Sequence, residues 1–442
     1  MNTIIMAGQM ILALSILITL HELGHYLAAR AFGIRVEKFF LFFDAWGVKL
    51  FSIKKGDTTY GIGWLPLGGY VKISGMIDES MDTEQLKKPV ENYEFRSKPA
   101  WQRLIVMIGG VTVNLLLGML IFGLSLFVYG DKYLPIKEAK YGIVASDLAK
   151  EIGFLDGDMI QKINGKEIEK FDEVYSPNVF LDEMVVFSVL RNGESKEIVL
   201  PNDFLKQITN QDKKAFLGFR FKFKVKEVQK SSLADKAGLI AGDIPIKVNG
   251  KDAEFFHDFQ RLLFENKDKE IMLTVLRNNK ETDLKATVSG EGTLGFFPAE
   301  LDMNFETAKY GLGTSMVLGT KRAVQSLADN IRGLGKVVTG KVDPSKSLMG
   351  PLRLATVFGT NWDWQRFWNL TGLLSLILAF MNILPIPALD GGHAMFLTFE
   401  MIIGRPLSDR FLQVAQVIGM VILIALMVFV FGNDIWNLIP KK

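Results

Sequence analysis

The segment IIMAGQMILALSILITLHELGH, residues 4–25, decides the fold, because an uncharged apolar run leads directly into two histidines and a glutamate. Residues 4–20 carry no charge and can cross the hydrocarbon core of a bilayer, which is roughly 30 Å thick and takes about 20 helical residues. The run lacks the basic start and the small-residue exit of a signal peptide. We therefore predict a retained membrane span.

Three further uncharged apolar runs cover residues 104–128, 367–384 and 411–431. With 49% hydrophobic residues in a chain of 442, they predict a multi-pass α-helical membrane protein with four transmembrane helices. The net charge of +3 includes no basic block, which argues against nucleic-acid binding. The chain has no cysteine, so disulfides and cysteine-ligated metal sites are excluded.

The distribution of basic residues predicts the orientation of the chain in the membrane. None lies in the first ten positions, whereas many follow the first span: Arg35, Lys38, Lys49, Lys54, Lys55, Lys72, Lys87, Lys88, Arg96, Lys98 and Arg103. By the positive-inside rule this loop is cytoplasmic, which places residues 130–360 outside. Lys441 and Lys442, at the predicted outer carboxyl terminus, disagree mildly with this orientation.

A duplication lies in the predicted outer segment. Residues 146–158 parallel residues 231–243 without a gap, and both copies continue to an Asn-Gly pair and later to Leu-Gly-Phe. Each copy predicts a short helix ending at Gly153 or Gly238, then strands and turns. Residues 237–250, AGLIAGDIPIKVNG, resemble a circularly permuted PDZ domain, a fold that captures chain ends by strand addition. A packing domain without a ligand remains the alternative.

His21-Glu22-Leu23-Gly24-His25 is an H-E-x-x-H motif. Histidines four residues apart lie on one helix face and can share a zinc ion, with Glu22 near the metal. Zinc makes a bound water acidic near neutral pH, and the adjacent carboxylate can take its proton. An ionisable group within a membrane costs at least about 2.5 kcal/mol and marks a functional site. The motif therefore predicts peptide hydrolysis with Glu22 as the catalytic base.

A tetrahedral zinc site needs a third protein ligand, and Asp390 is the best candidate. It lies in NILPIPALDGGH, the segment from Asn382 to His393, where Pro385 and Pro387 interrupt the predicted helix of the third span. Non-helical backbone at membrane depth is tolerated only within protein or beside a water-filled cavity. We predict that Asp390 binds the ion and that His393 has a supporting polar role.

The combination of these two motifs resembles the site-2 protease family of intramembrane zinc metalloproteases, and with the tandem PDZ-like modules the likeness covers essentially the whole chain. The resemblance implies one Zn²⁺ held by His21, His25 and Asp390, with Glu22 as base and Asn382 helping to hold substrate. It implies single-span membrane substrates, such as anti-sigma factors or remnant signal peptides, cut towards the cytoplasmic side of a bacterial inner membrane. An upstream site-1 type protease would act first, and the outer modules would filter substrates by size.

Residues 58–70, TTYGIGWLPLGGY, are too apolar and glycine-rich for an ordinary solvent-facing loop, and we predict that they dip into the membrane. The resemblance implies a β-hairpin here, with Gly61 and Gly63, that offers a strand edge to an unwound substrate. A transmembrane helix hides its peptide bonds, so strand addition would expose them to hydrolysis. A hairpin that only packs against the protein remains open.

Residues 308–338 mix apolar and basic positions at helical spacing and predict an amphipathic helix at the outer membrane surface. His257 is predicted to lie on the surface of the second module. The chain is thus divided into residues 1–34, the first transmembrane helix; 35–100, the cytoplasmic loop and reentrant hairpin; 101–130, the second transmembrane helix; 131–222 and 223–302, the PDZ-like domains; 303–362, the amphipathic juxtamembrane region; 363–404, the third transmembrane helix with Asp390; and 405–442, the fourth.

Two other classes of protein stay open at this point. A PDZ scaffold with a vestigial metal site would keep the repeats but would not need Glu22, which is present. A metal transporter could place histidines in a span, but it would need neither two peptide-binding modules nor a base beside the first ligand.

Overall fold

The computed structural model describes residues 2–65, 68–76, 89–210, 216–347 and 349–438. Residues 66–67 and 77–88 of the predicted cytoplasmic loop, with Lys87 and Lys88, and the terminal Lys441 and Lys442 lie outside the described residues. The chain forms two compact units. The helical unit comprises Met1–Gly130, Lys309–Val338 and Pro344–Lys442, and the inserted unit comprises Asp131–Ala308 and Thr339–Asp343.

The helices, in chain order, are α1 (Asn2–Ala31), α2 (Ala100–Tyr129), α3 (Asp147–Ile152), α4 (Pro177–Leu181), α5 (Phe204–Asn210), α6 (Leu233–Lys236), α7 (Phe256–Glu265), α8 (Leu312–Val338), α9 (Pro344–Ser347), α10 (Pro351–Val357), α11 (Trp364–Ile383), α12 (Asp390–Ile403) and α13 (Asp409–Leu438). The strands are β1 (Val36–Leu41), β2 (Lys49–Lys55), β3 (Thr58–Gly63), β4 (Tyr70–Ile73), β5 (Asp131–Tyr133), β6 (Ile143–Ala145), β7 (Met159–Ile163), β8 (Lys166–Glu167), β9 (Val186–Arg191), β10 (Glu194–Val199), β11 (Leu217–Phe219), β12 (Phe223–Val228), β13 (Ile244–Val248), β14 (Lys251–Asp252), β15 (Glu270–Arg277), β16 (Lys280–Thr287), β17 (Phe296–Glu300) and β18 (Glu306–Ala308).

Four helices in the described part of the chain are long and apolar enough to cross a membrane, as predicted. These segments are Thr3–Ala31, Ala100–Tyr129, Trp364–Ile383 and Arg410–Trp436. Each lacks the polar stripe of a surface helix, because an apolar environment on all sides favours apolar residues around the whole circumference.

Glycines bring α1 and α2 into close contact. A Cβ on Gly24 would lie 2.9 Å from the Cα of Gly110, and one on Gly109 would lie 2.7 Å from the carbonyl oxygen of Gly24. Small residues let helices in a membrane approach backbone to backbone. The crossing therefore places the histidine face of α1 directly against α2. Nearer the start of α2, Arg103 forms an ion pair with Glu400 of α12.

The helical unit also contains a four-stranded sheet of order β2-β3-β1-β4. The predicted hairpin is confirmed as the antiparallel pair β2–β3, but β3 also pairs in parallel with β1. Gly61 and Gly63 lie on β3, which is paired on both sides, so within the predicted hairpin β2 is the strand at a sheet edge, and the binding of substrate to this hairpin stays a prediction. Among the strands that the structure describes, β2 and β4 lie at the edges of this sheet. A Cβ on Gly61 would lie 2.5 Å from the Phe40 ring, so this glycine makes room for the ring against the sheet.

Two modules of the inserted unit have the same topology, which confirms the repeat. Four-stranded sheets of order β10-β9-β7-β8 and β14-β13-β15-β16 are each accompanied by a two-stranded pair, β11–β6 or β12–β17. The short helices α3 and α6 are followed by Gly153 at φ 117° and Gly238 at φ 77°, a conformation that glycine adopts without strain. Each module has its own hydrophobic core.

An arginine–aspartate pair recurs in both modules. Arg191 bonds Asp158, and Arg277 bonds Asp243, with closest N–O distances of 2.7 Å in each pair. Each arginine also donates to the carbonyl of the glycine that ends the short helix. Hydrogen bonding to the aspartate holds the pKa of each arginine above its usual range. The pair therefore fastens the Gly-Asp turn to the sheet in both copies.

His257 is half-buried, so its predicted surface position is wrong. Its Nε2 lies 3.2 Å from an Asp258 oxygen, and its Nδ1 is enclosed without a described hydrogen-bond partner. Burial lowers the pKa of His257. The aromatic and charged residues around α7 cover this side chain, which its position in the sequence does not reveal.

The two ends of the inserted unit lie side by side. Strand β5 pairs antiparallel with β18, with Asp131 opposite Ala308 and Tyr133 opposite Glu306. The chain therefore leaves the inserted unit next to the point where it enters.

The predicted helix over residues 308–338 is confirmed as α8. Its buried residues Ser315, Gly319 and Ala323 are four apart and hence lie on one face. Gly319 packs against Gly123 of α2. One face of α8 therefore contacts a spanning helix, and its position at the membrane surface stays a prediction.

Candidate metal centre

Three of the side chains singled out from the sequence converge at one point. His21 and His25 lie one turn apart on α1, and Asp390 is the first residue of α12. The Asp390 Oδ2 atom lies 3.2 Å from Nε2 of His21 and 3.3 Å from Nε2 of His25. The two Nε2 atoms are 3.2 Å apart. The only candidate metal cluster found among the described residues consists of these three side chains.

This spacing fits one tetrahedral zinc ion. Zinc binds histidine nitrogen and carboxylate oxygen at about 2.0–2.2 Å, so tetrahedral ligands lie about 3.3 Å from one another. The three measured separations agree with that value. The Asp390 Oδ2 atom is buried and has no hydrogen-bond partner among the described residues, which a metal ion would remedy. Three protein ligands leave one position open, as in catalytic zinc sites.

Helix α2 orients both histidine rings. Nδ1 of His25 lies 2.8 Å from the backbone carbonyl of Val106, which can only accept a hydrogen bond, so Nδ1 carries the proton. The lone pair of Nε2 is then directed towards Asp390. His21 is contacted by Asn114, whose side-chain nitrogen lies 3.2 Å from Nδ1. A Cβ on Gly110 would collide with both rings, so glycine is required there.

Glu22 lies between the two histidines in the chain and is half-buried. Its carboxylate lies near the backbone of Val71 on β4 and close to the charged groups of His21, His25 and Asp390. The side-chain nitrogen of Asn382 lies 3.4 Å from Nε2 of His21. The structure thus brings Glu22 and Asn382 to the ligand cluster.

Two groups of predicted residues lie outside the cluster. Gly61 and Gly63 pack against Phe40 and Phe43, and no described contact joins them to the ligands. His393 follows Asp390 on α12 and is not among the three clustered ligands. Its predicted supporting role remains a prediction.

The residues of α2 at this centre were not among those singled out from the sequence. Asn114, Gly110 and the carbonyl of Val106 all lie within or beside the uncharged run of the second span. Asn114 is 1% exposed, and a buried amide within a membrane span is itself a signal of function. Attention to polar residues in the span would have identified Asn114, whereas a backbone carbonyl such as that of Val106 has no signature in the sequence.

Comparison with known proteins assigns the chain to a family. Residues 9–426 match the family model of peptidase family M50. The chain belongs to this family. The regulator of sigma-E protease RseP of Escherichia coli strain K12 is 30% identical over 450 residues, covering 97% of each chain. The regulator of sigma E protease of Salmonella typhi is 30% identical over 447 residues, covering 96% of this chain and 97% of its own.

A protein of Xylella fastidiosa strain Temecula1 that is assigned as a zinc metalloprotease is 30% identical over 454 residues, covering 96% of this chain and 97% of its own. The similarity between this chain and these relatives extends over nearly its whole length. It is a zinc metalloprotease, and its His21, His25 and Asp390 have the spacing that such an enzyme requires.

Proposed function

We propose that this zinc metalloprotease is an intramembrane protease that hydrolyses peptide bonds within the transmembrane segments of single-span proteins. The observation that carries the proposal is the convergence of His21, His25 and Asp390 within 3.3 Å of one another, on helices of a unit with four potential membrane spans. Charged ligands at this depth are costly unless they serve a metal or a substrate.

Each residue near the ligands has a distinct role in the proposed reaction. Zinc, when bound by His21, His25 and Asp390, supplies the Lewis-acid chemistry that makes water a nucleophile near neutral pH. Glu22 accepts the proton of the attacking water and delivers it to the leaving amine. The backbone of Val71 on β4 lies beside the Glu22 carboxylate. Asn382, beside His21, holds the substrate backbone with its amide.

The substrate must be extended before water can reach its peptide bonds, because a helix satisfies its own backbone groups. The edge strand β4 is better placed for strand addition than β3, which is paired on both sides. Val71 of β4 contacts the Glu22 carboxylate, so a strand added along β4 would run past the base. We propose that β4 takes the role first considered for Gly61 and Gly63.

The relatives named regulator of sigma-E protease support a regulatory substrate class. We propose anti-sigma factors or remnant signal peptides as substrates, shortened beforehand by an upstream site-1 type protease. The basic loop after α1 supports placement in a bacterial inner membrane with the metal centre towards the cytoplasm and the two PDZ-like modules outside.

Two features of the modules favour a size filter over a peptide tether. In the first module, the Tyr175 hydroxyl donates to the carbonyl of Leu217 on β11, so an added strand would have to displace it. In the second, β17 contains Pro298, which has no N–H to give to an added strand. Strand addition is therefore hindered in both copies.

The proposal is tested with purified protein in lipid vesicles and a single-span substrate. Glu22→Gln should reduce cleavage by about 100- to 10,000-fold, because it removes the base, and should leave zinc bound, because it spares the ligands. Glu37→Gln is the matched control, since Glu37 pairs with Lys72 of the neighbouring strand, and should cleave normally. Retained turnover in Glu22→Gln would refute this mechanism. Zinc flux into the vesicles without any cleavage would favour a transporter.

A further inference from the structure

We infer that Asn114 is a positioning residue for the metal centre: its side-chain oxygen accepts the Nδ1 proton of His21 and thereby directs the lone pair of His21 Nε2 at the ion. The inference concerns this chain's own residues and rests on the zinc site described above. It assigns a function to α2, which contributes no metal ligand.

The contact between the side chains of Asn114 and His21 is buried. Asn114 is 1% exposed, and its Nδ2 atom lies 3.2 Å from Nδ1 of His21. Its Oδ1 atom is also buried and has no hydrogen-bond partner among the described residues. The oxygen and nitrogen of an amide exchange places by a half-turn of the group, and their assignment follows from the hydrogen bonds they make. The half-turn brings Oδ1 to the position facing His21.

The two amide orientations impose different tautomers on His21, because a neutral imidazole carries a proton on one nitrogen only. With Nδ2 facing the ring, Nδ1 must accept, and the proton lies on Nε2, which then points at Asp390 and cannot bind a metal. With Oδ1 facing the ring, Nδ1 carries the proton and Nε2 is free. Zinc binding therefore requires the second orientation.

His25 provides an internal comparison. Its Nδ1 faces the backbone carbonyl of Val106 at 2.8 Å, an acceptor that cannot exchange with a donor. The tautomer of His25 is thus fixed by the fold, whereas that of His21 depends on one side chain. Partners of this kind on metal-bound histidines change metal affinity by about 10- to 100-fold when removed.

Asn114 is itself held firmly in place. The Ser375 hydroxyl of α11 donates to the main-chain carbonyl of Asn114 at 2.6 Å. Gly110, one turn earlier on α2, lets the rings of His21 and His25 lie against the helix. The backbone of Asn114 is therefore held in place, and a half-turn about its Cβ–Cγ bond exchanges the amide oxygen and nitrogen.

The test compares three variants of the full-length protein in detergent by chelator competition for zinc. Asn114→Leu keeps the volume and removes the acceptor, and should weaken zinc binding by about 10- to 100-fold. Asn114→Asp keeps an acceptor on either oxygen and should bind zinc at least as tightly as the parent. Asn369→Leu is the matched control, because Asn369 accepts from Ser125 at the same α2–α11 contact, and should leave zinc affinity unchanged.

Visible absorption of the cobalt-substituted proteins provides a readout that does not depend on cleavage. Asn114→Leu should shift or weaken the bands of the tetrahedral site, and Asn114→Asp should retain them. Unchanged affinity and spectrum in Asn114→Leu would overturn the inference. An equal loss in Asn369→Leu would overturn it too, since the effect would then reflect helix packing. If Asn114→Leu fails to fold, Asn114→Asp provides the test alone. Weaker zinc binding by Asn114→Asp than by the parent would then reject the proposal.

Discussion

The Asp390 carboxylate joins the candidate metal cluster from a helix distant in sequence from the histidines. Its Oδ2 atom is buried and lies within 3.3 Å of both Nε2 atoms, yet it has no hydrogen-bond partner among the described residues. An unpartnered carboxylate oxygen in such an environment is costly, and a cation removes the cost. The two histidines alone leave two coordination positions to water.

Asp390→Ala should therefore lower zinc occupancy and abolish cleavage, because two histidines rarely hold zinc against competition from water. Thr398→Val is the matched control on the same helix, since the Thr398 hydroxyl donates to the backbone carbonyl of Ala394, and should retain zinc. Zinc content is measured by atomic absorption after dialysis. Full occupancy in Asp390→Ala would show that Asp390 is not a ligand.

The residues of the candidate cluster could be singled out from the sequence because each carries a local signal, and their role as ligands stays a prediction. His21 and His25 are one helical turn apart, and Asp390 follows two prolines in an apolar run. The partners of the histidines carry no such signal. Val106 and Asn114 reach the rings only because glycines let α1 and α2 cross closely, and that crossing depends on the folded structure.

At the scale of elements, the break between α11 and α12 places Asp390 at the metal centre. Helix α11 ends at Ile383 and α12 begins at Asp390, with Pro385 and Pro387 between them. Ala388 in this loop has φ 79°, an unusual conformation for a residue with a side chain. The loop thus turns the chain so that Asp390 begins a new helix, where its negative charge suits the helix N-terminus.

Replacing Pro385 and Pro387 together by alanine should weaken zinc binding by about tenfold or more, because each proline disfavours a continuous helix by about 3 kcal/mol. A helix continued from α11 would carry Asp390 away from the histidines. Pro351→Ala is the control, since Pro351 lies in the first turn of α10, where proline is well tolerated. Zinc affinity is measured by chelator competition. An unchanged affinity would mean that the packing of Gly391 and Gly392 against the loop carbonyls is enough to keep α11 and α12 separate.

The spans and the proline break could be predicted because hydropathy and missing backbone donors act locally. The order of the strands in the sheet of the helical unit could not be predicted. The hairpin β2–β3 is local, but the parallel pairing of β1 with β3 joins segments separated by β2, and nothing in the sequence specifies this pairing. For this reason Gly61 and Gly63 were predicted at an edge, whereas they lie inside the sheet.

At the scale of the whole molecule, the inserted unit interrupts the helical unit between α2 and α8. The repeat within it could be predicted because the two copies share sequence. The role of the modules could not be predicted, because the same fold can either bind a peptide or block the access of large substrates. The antiparallel pair β5–β18 holds the two ends of the insert together, so removal of the modules leaves ends that a short linker can join.

Deleting residues 135–304 should leave zinc bound, because the three ligands lie outside the deletion. If the modules form a filter, the truncated enzyme should cut a substrate that still carries its folded outer domain, whereas the full-length enzyme should cut it only after trimming. A tether predicts the reverse, with cleavage of trimmed substrate slowed by about 100-fold or more. Rates of both enzymes on both substrates decide the question, and equal rates in all four combinations would exclude both roles.

The division of the helical unit into separate stretches of sequence also governs when the enzyme can act during its own synthesis. His25 and Asp390 are 365 residues apart (390 − 25), so at about 5–20 residues per second the ribosome needs about 20–70 s to pass from one to the other. Throughout that interval the nascent chain holds two of its three ligands. With the proposed ligand set, a chain released early by a stalled ribosome would lack peptidase activity.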